Sequence, residues 1–486
     1  MAETYRTPGV YVEEITKFPP SVVPVETAVP AFLGYTRNTQ YRGEPLVNQP
    51  RRITSLLEFE LLFGAAPSIG GFEVAVDADG VPASGVGDPR GMGGTVATAA
   101  SFTLNHALRH FYMNGGGDCY VVSLGDHSAR NASEIADTHT AGLAALALED
   151  EPTLIVMPDL SMMTPVNATN RALYHTVLST ALKQCADLGD RFLIGDILGG
   201  DQPGQGEIDE FRNGIGTSNL KYGAVYHPQI RTTIGWPWDE STITVSQGAF
   251  RDDSGEIQPP PSPANGRTLA ELREGANANP ALYGRIRASL DAFSVTLPPG
   301  PAIAGAYATV DRTRGVFKAP GNVSLTGVRD LTVKIDKALN DHMNVHSTGK
   351  SVNAIREFTG RGTMVWGART LDGNSNEWRY ISVRRFFNMV EESCKKASYP
   401  FVFAPNNAAT QARVKGMIEN FLTNQWRDGA LAGATPGEAF FVRVGLGTTM
   451  TAQDVLEGRL NVEIGMAVVR PAEFIVLRFS HILPTA

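Results

Sequence analysis

Three short runs narrow what this chain can fold into: TLIVMPD at 153–159, RFLIGDIL at 191–198 and YGAVYHP at 222–228. All three are continuously apolar. A strand with one wet face alternates apolar and polar residues, so these runs belong to strands covered on both faces. Segments of helical character separate them, near 133–148, 166–188 and 207–214. Parallel neighbours need a crossover connection, and apolar strands spaced by helices therefore predict a mainly parallel α/β sheet. Upstream, AVPAFLGYT (28–36) and CYVVSL (119–124) read as further strands. ITSLLEFELLFG (53–64) reads as a short helix, with Ser55 and Glu58 at capping-box spacing and Gly64 to end it. TVATAASFTLNHALRHFYMNGGG (95–117) reads as one helix stopped by three glycines.

The rhythm is broken twice. Residues 65–94 are rich in Gly, Pro and Ala, and 229–300 contain IQPPPSPANG and VTLPPGPA, both loop signals. From about 335 the pattern becomes α+β, with strand candidates at 363–370, 378–383, 399–404, 439–445 and 461–479 and helices at 383–397 and 407–426. A chain of 486 residues exceeds one ordinary core. The expected division is an arm and spacer at 1–24, an α/β domain at 25–330 with insertions near 65–95 and 230–280, and a C-terminal α+β domain at 331–486. In the arm, RTPGVYVEEI (6–15) is an extended, half-apolar ribbon, and FPPSVVP (18–24) carries three prolines that forbid a helix. A short strand behind a stiff spacer either pairs with its own domain or reaches a neighbour.

Charge is uneven. The whole chain has 42 Lys+Arg and 50 Asp+Glu, a net of −8, which argues against a nucleic-acid binder. Residues 331–486 hold 18 basic and 14 acidic residues, a net of +4, and the remainder is −12. No run approaches the ~18 apolar residues of a membrane span; AGLAALAL (141–148) is closed by Glu149, Asp150 and Glu151. The N-terminus lacks the pattern of a secretory signal, so synthesis in a cytoplasm is expected, with any exit by a route other than general secretion. Cys119, Cys185 and Cys394 are odd in number and far apart, which predicts buried free thiols rather than disulfides or a zinc site.

Reaction chemistry is sparse. STGKS (347–351) matches the tail of a phosphate-binding loop, but position 344 is Asn where the first glycine belongs, and no buried strand precedes it. Asp159 and Asp196 close apolar strands, where α/β sheets place ligands; an Asp there also caps turns. His106 and His110 are four apart on one helix without a carboxylate or Cys to complete a metal set. GGDQPGQG (199–206) reads as a flexible loop. Arg384-Arg385 and Lys395-Lys396 lie near the two ends of one amphipathic helix, as a solvated face or a protein-binding one. No catalytic residue, metal or cofactor is expected.

TPGVYVEEI (7–15), NGGGDCYVVSL (114–124), AGAYATVDRTRGVFKAPGN (304–322), WRYISVRRFFNMVEESCKKASYPFVFAPNN (378–407), FLTNQWRDGAL (421–431) and AFFVRVG (439–445), in this order and spacing, resemble the tail sheath family of contractile phages and phage-tail-like injection systems. The likeness is weakest at 65–95 and 230–280. It implies an outer α/β domain, an inner C-terminal sheath domain, and extended arms that each add a strand to a neighbour's sheet. The arm strands would hold Pro8, Gly9, Val10, Tyr11, Val12 and Glu13 at one end and Phe474, Ile475, Val476, Leu477 and Phe479 at the other. It further implies a structural subunit, not an enzyme, stacked in sixfold rings as a helical sheath around an inner tube. Its partners would be itself, the tube protein, baseplate and terminator proteins, and sheath paralogues where they coexist, with no nucleic acid and no membrane insertion. Assembly would take place in the bacterial cytoplasm, and the location would be a virion tail or a released extracellular particle. Arg384, Arg385, Lys395, Lys396, Arg413 and Lys415 are the candidate tube-facing cations. The alternatives are an α/β hydrolase-like enzyme built on Asp159 or Asp196, and another tube or baseplate component of the same machine.

Overall fold

A computed structural model of the chain describes residues 22–82, 87–252, 254–260 and 262–478. The chain divides into two compact units. One is Glu26–Met389 together with the segment from Arg470; the other is Val390–Val469 together with the stretch ending at Val25.

The larger unit is built on a nine-stranded sheet. Its order is Val323–Ser324, Gly362–Val365, Asn353–Phe358, Gly223–His227, Phe192–Asp196, Leu154–Val156, Pro30–Gly34, Cys119–Ser123 and Arg51–Ile53. The six from Asn353–Phe358 to Cys119–Ser123 run parallel, and the edges are antiparallel. Alternate residues of each strand enter different cores, as a period of two requires. Ala31, Leu33, Val122, Ile155, Leu193 and Val225 face the helices Ala132–Leu146, Ala168–Leu188 and Gly206–Gly214. Phe32, Val121, Leu154, Val156, Ile194 and Tyr226 face Leu56–Phe63, Leu104–Met113 and Gly300–Arg314. The last of these packs hard on its neighbour: a Cβ at Gly305 would stand 2.6 Å from the Phe111 carbonyl oxygen. The short helix begins where its capping spacing predicts, with the Ser55 side chain accepting from Glu58 N and Gly64 at φ +86° ending it.

The segment 95–117 differs from expectation. It forms two helices, Gly94–Ser101 and Leu104–Met113, because Thr103 turns its backbone N–H and hydroxyl to Asp159 at 2.7 and 2.8 Å. The insertions, far apart in sequence, join each other. Glu73–Val76 pairs in parallel with Thr244–Gln247, and Val74, Ile243, Val245, Leu269, Leu272, Ile286 and Leu290 form a core of their own. The division expected at 331 falls instead near 390, since Asn353–Phe358 and Gly362–Val365 complete the large sheet. This moves the charge as well. Residues 390–469 carry seven Lys+Arg and eight Asp+Glu, so the basic excess of the C-terminal part lies in the larger unit.

The smaller unit is simpler. Helix Ala408–Arg427 is capped by Asn407 and buries Val414, Met417, Ile418, Phe421 and Leu422. The antiparallel pair Phe440–Val444 and Val462–Met466 forms a sheet of two strands. Two strand expectations fail here and next door. Residues 378–383 lead into the helix Ile381–Ser398, and 399–404 form a 3-10 turn at Pro400 followed by Phe403 at φ +64°.

Candidate functional site

Asp159 and Asp196 are both buried, and both are engaged. The Asp159 carboxylate accepts from the backbone of Tyr35 and Thr103 and from the Thr103 hydroxyl at 2.7–2.8 Å. Asp196 accepts from Gly300 N at 2.8 Å, at the start of helix Gly300–Arg314. Burial raises their pKa to about 6 and about 7. Each ties a helix start to a strand end, which leaves the hydrolase alternative without a free carboxylate at either position.

STGKS is also structural. Lys350 is turned inwards, with its ammonium donating to the Arg212 carbonyl, and Ser351 Oγ donates to Asn344 O at 2.6 Å. A phosphate-binding Lys would point at the loop's open side. His106 sits edge-on to Trp236, and His110 Nε2 stands 3.0 Å from Thr326 O, so the pair holds no common ligand position. The three cysteines are free and buried as expected, and burial pushes the Cys119 and Cys394 thiols up to about 12.

The candidate cations separate into two groups. Arg384 and Arg385 are only 2% and 4% exposed, which corrects the reading of both as a surface pair. Arg384 lies over the Trp378 ring at 4.4 Å and donates to Asn388 Oδ1 at 2.7 Å. Arg385 bonds Asp311 at 2.5 Å and covers the Tyr307 ring at 4.5 Å. Lys395 and Lys396 both approach Glu392, at 3.0 and 3.5 Å. Arg413 is exposed, and Lys415 is within 3.7 Å of Glu419.

The C-terminal segment leaves four consecutive large apolar side chains in solvent. Phe474, Ile475, Val476 and Leu477 are 70–79% exposed and belong to no strand. Their root is fixed. Glu473 accepts from Arg369 at 2.7 and 2.9 Å, from Asn344 at 2.8 Å and from Tyr380 at 3.1 Å. These bonds hold its carboxyl below the usual range against the opposing effect of burial. Sequence reading missed this clamp, whose members are spread from 344 to 473. It also missed a group formed by Asp209, His342 and His346, although the i,i+4 spacing of the two histidines was visible. Pro8, Gly9, Val10, Tyr11, Val12, Glu13 and Phe479 lie outside the described residues.

A family model for the phage tail sheath C-terminal domain matches residues 374–481. The tail sheath protein of Vibrio phage KVP40 is 24% identical over 168 residues, 33% of this chain. The match spans 24% of that relative's length. Likeness over the full length comes from solved structures. A chain of the anti-feeding prophage baseplate is 30% identical, with 99% of this chain and 100% of that one covered and a TM-score of 0.62. The contracted helical sheath of the same particle gives 29% identity, coverage of 98% and 99%, and 0.62. The sheath complex of the PVC extracellular contractile injection system, also contracted, gives 26%, coverage of 99% and 98%, and 0.62.

Proposed function

The chain belongs to the tail sheath family, and on that premise we propose that it polymerises around an inner tube and contracts to drive that tube through a target envelope. The likeness to the anti-feeding prophage and PVC chains, which extends over nearly the whole length, favours a released particle over a virion tail. Assembly takes place in the bacterial cytoplasm before release. The tube protein, a baseplate and a terminator are its partners, beside further copies of itself.

The C-terminal segment is the observation that carries this reading. Four consecutive large apolar residues without a strand partner would be an aggregation hazard in a monomer. A clamp at Glu473 presents them at a fixed root, as β-augmentation requires. In the assembly this segment, and the N-terminal ribbon Pro8–Glu13, each add a strand to a neighbour's sheet. The two-stranded sheet of the smaller unit, Phe440–Val444 with Val462–Met466, is the acceptor its size invites. Subunits then stay linked while rigid bodies rotate. Contraction draws on new contacts between subunits: several hundred Å² per subunit is worth roughly 10 kcal/mol at ~25 cal/mol/Å², before entropy and desolvation costs. The tube is held by modest ion pairs, worth ~0–1 kcal/mol each, from Lys395, Lys396, Arg413 and Lys415.

Negative-stain microscopy of the purified chain, alone and with its tube protein, tests the proposal. Long tubular polymers are expected. A small particle of constant size under all conditions contradicts it.

A further inference from the structure

Among the described residues, one group of three side chains brings metal-ligating atoms together: Asp209, His342 and His346, all within 4.8 Å of one another. Asp209 lies on helix Gly206–Gly214. His342 is in the last turn of helix Lys337–Asn344, and His346 follows that helix. We propose that these three residues bind a divalent transition metal of the zinc class. Two imidazoles and one carboxylate are the donors such ions prefer, and three protein ligands leave a position for water.

Geometry supports the assignment. Donors around a zinc ion, each ~2.0–2.2 Å from it, stand roughly 3–3.6 Å apart. Asp209 Oδ1 and His342 Nε2 are already 2.9 Å apart, so only His346, at the partly exposed end, has to swing inwards. The outer shell is present too. His346 Nδ1 is 2.9 Å from Thr348 Oγ1 and accepts from Thr348 N at 3.3 Å, and these contacts hold the ring in place. The frame behind is rigid. Arg212, almost wholly buried, donates to the carbonyls of Lys350, His342 and Met343 at 2.7–3.1 Å and so joins the two elements that supply the ligands.

A second observation comes from a mismatch. His342 Nε2 stands 2.9 Å from both the Asp209 carboxylate and the Arg212 guanidinium Nη1. Carrying a proton, it opposes the guanidinium N–H; bare, it opposes the carboxylate lone pairs. Neither form of a neutral imidazole satisfies both neighbours. A cation between Nε2 and Oδ1 resolves the carboxylate side. Arg212 sets the opposing charge, since Nη1 is also 3.3 Å from Asp209 Oδ1, but its remaining bonds to carbonyls keep it in place. The consequence reaches the tail. Asn344 lies between the two histidines and donates to Glu473, so an occupied site fixes the segment that holds the C-terminal root.

The test is a titration of the metal-stripped full-length chain with Zn²⁺, followed by calorimetry, and with Co²⁺, followed by its visible absorption. One equivalent per chain is expected, with a Co²⁺ spectrum of low coordination number. His346→Gln abolishes it, and Thr348→Val weakens it roughly 10–100-fold, the usual cost of an outer-shell partner. Both positions are partly or fully exposed, and unchanged circular dichroism and metal-free melting confirm that each variant folds. Absence of saturable binding near one equivalent, or His346→Gln binding as the parent does, overturns the assignment. Binding is read on the chain irrespective of polymerisation, so this result and the sheath reading can fail separately.

Discussion

The two units solve the burial problem differently. In Glu26–Met389 both faces of the sheet are dry, and its interior also encloses polar groups: the Arg385–Asp311 pair, the Tyr226–Tyr307 contact and five histidines without surface access or nearly so. Residues 390–469 hold no histidine at all and build their core mainly from one face of one helix and a hairpin. They leave Tyr399, Val402, Phe403, Leu446 and Leu456 more than half exposed. The larger body also exposes Leu57, Leu61, Leu148 and Ile257, but its sheet is closed on both faces, and such a body can be carried as a rigid part. A small unit with apolar residues in water is material for contacts with other chains. Folding rests on the doubly covered sheet, while contacts with other chains fall to the smaller unit and to the exposed segment after Glu473.

Acid should separate the two most strongly. His106, His110, His139, His175 and His227 have pKa values lowered by burial from 6.5 to about 4. Between these limits the unfolded chain binds protons that the folded chain refuses, so stability falls as pH drops from 6.5 towards 4. Asp159 and Asp196 act in the opposite sense, since the fold keeps them protonated up to about 6 and 7 and their contribution declines as pH rises through that window. Five groups outweigh two. The larger unit is expected to lose stability over this range, while the smaller one, which holds no histidine, responds little. Thermal scans from pH 7.5 to 4.5 check this; a parallel decline of both transitions would erase the contrast.

Asp311→Ala should be next in size. It strands the buried Arg385 cation and costs about 3–5 kcal/mol. Only the transition of the larger unit should move. In the smaller unit Leu422→Ala removes a fully buried side chain and costs about 2–4 kcal/mol. Hydrogen exchange should then rise across 408–466 and stay unchanged in the large sheet. The smallest effect sharpens the comparison most. Phe403 is entirely exposed, so Phe403→Ser should alter stability by less than about 0.5 kcal/mol while reducing polymer length in micrographs. Normal polymers would show that its exposure serves no contact.

The sheet was legible because burial on both faces writes itself as unbroken apolar runs, and the resemblance was legible because its segments keep their order. What could not be read depended on partners distant in sequence. The break at Phe102–Thr103 is imposed by Asp159, some fifty residues on. Ile381 and Val383 favour a strand locally, yet after a single bridge from Tyr380 to Arg369 they open a helix whose early turns are held by Asp311, Tyr307 and Trp378. Arg384 and Arg385 looked like a solvated pair for the same reason: nothing nearby announces the carboxylate and the rings that bury them. The Glu473 clamp and the pairing of the two insertions are likewise contacts across long loops, which local pattern does not encode.

The separation of folding from assembly is tested most directly by removing residues 474–486 and leaving Glu473 in place. Sedimentation, circular dichroism and microscopy would be compared with the parent chain, with and without tube protein. The account predicts a monomer with unchanged melting transitions that forms no tubular polymer. A truncated chain that still assembles into long tubes, or one that loses its larger fold, would contradict it.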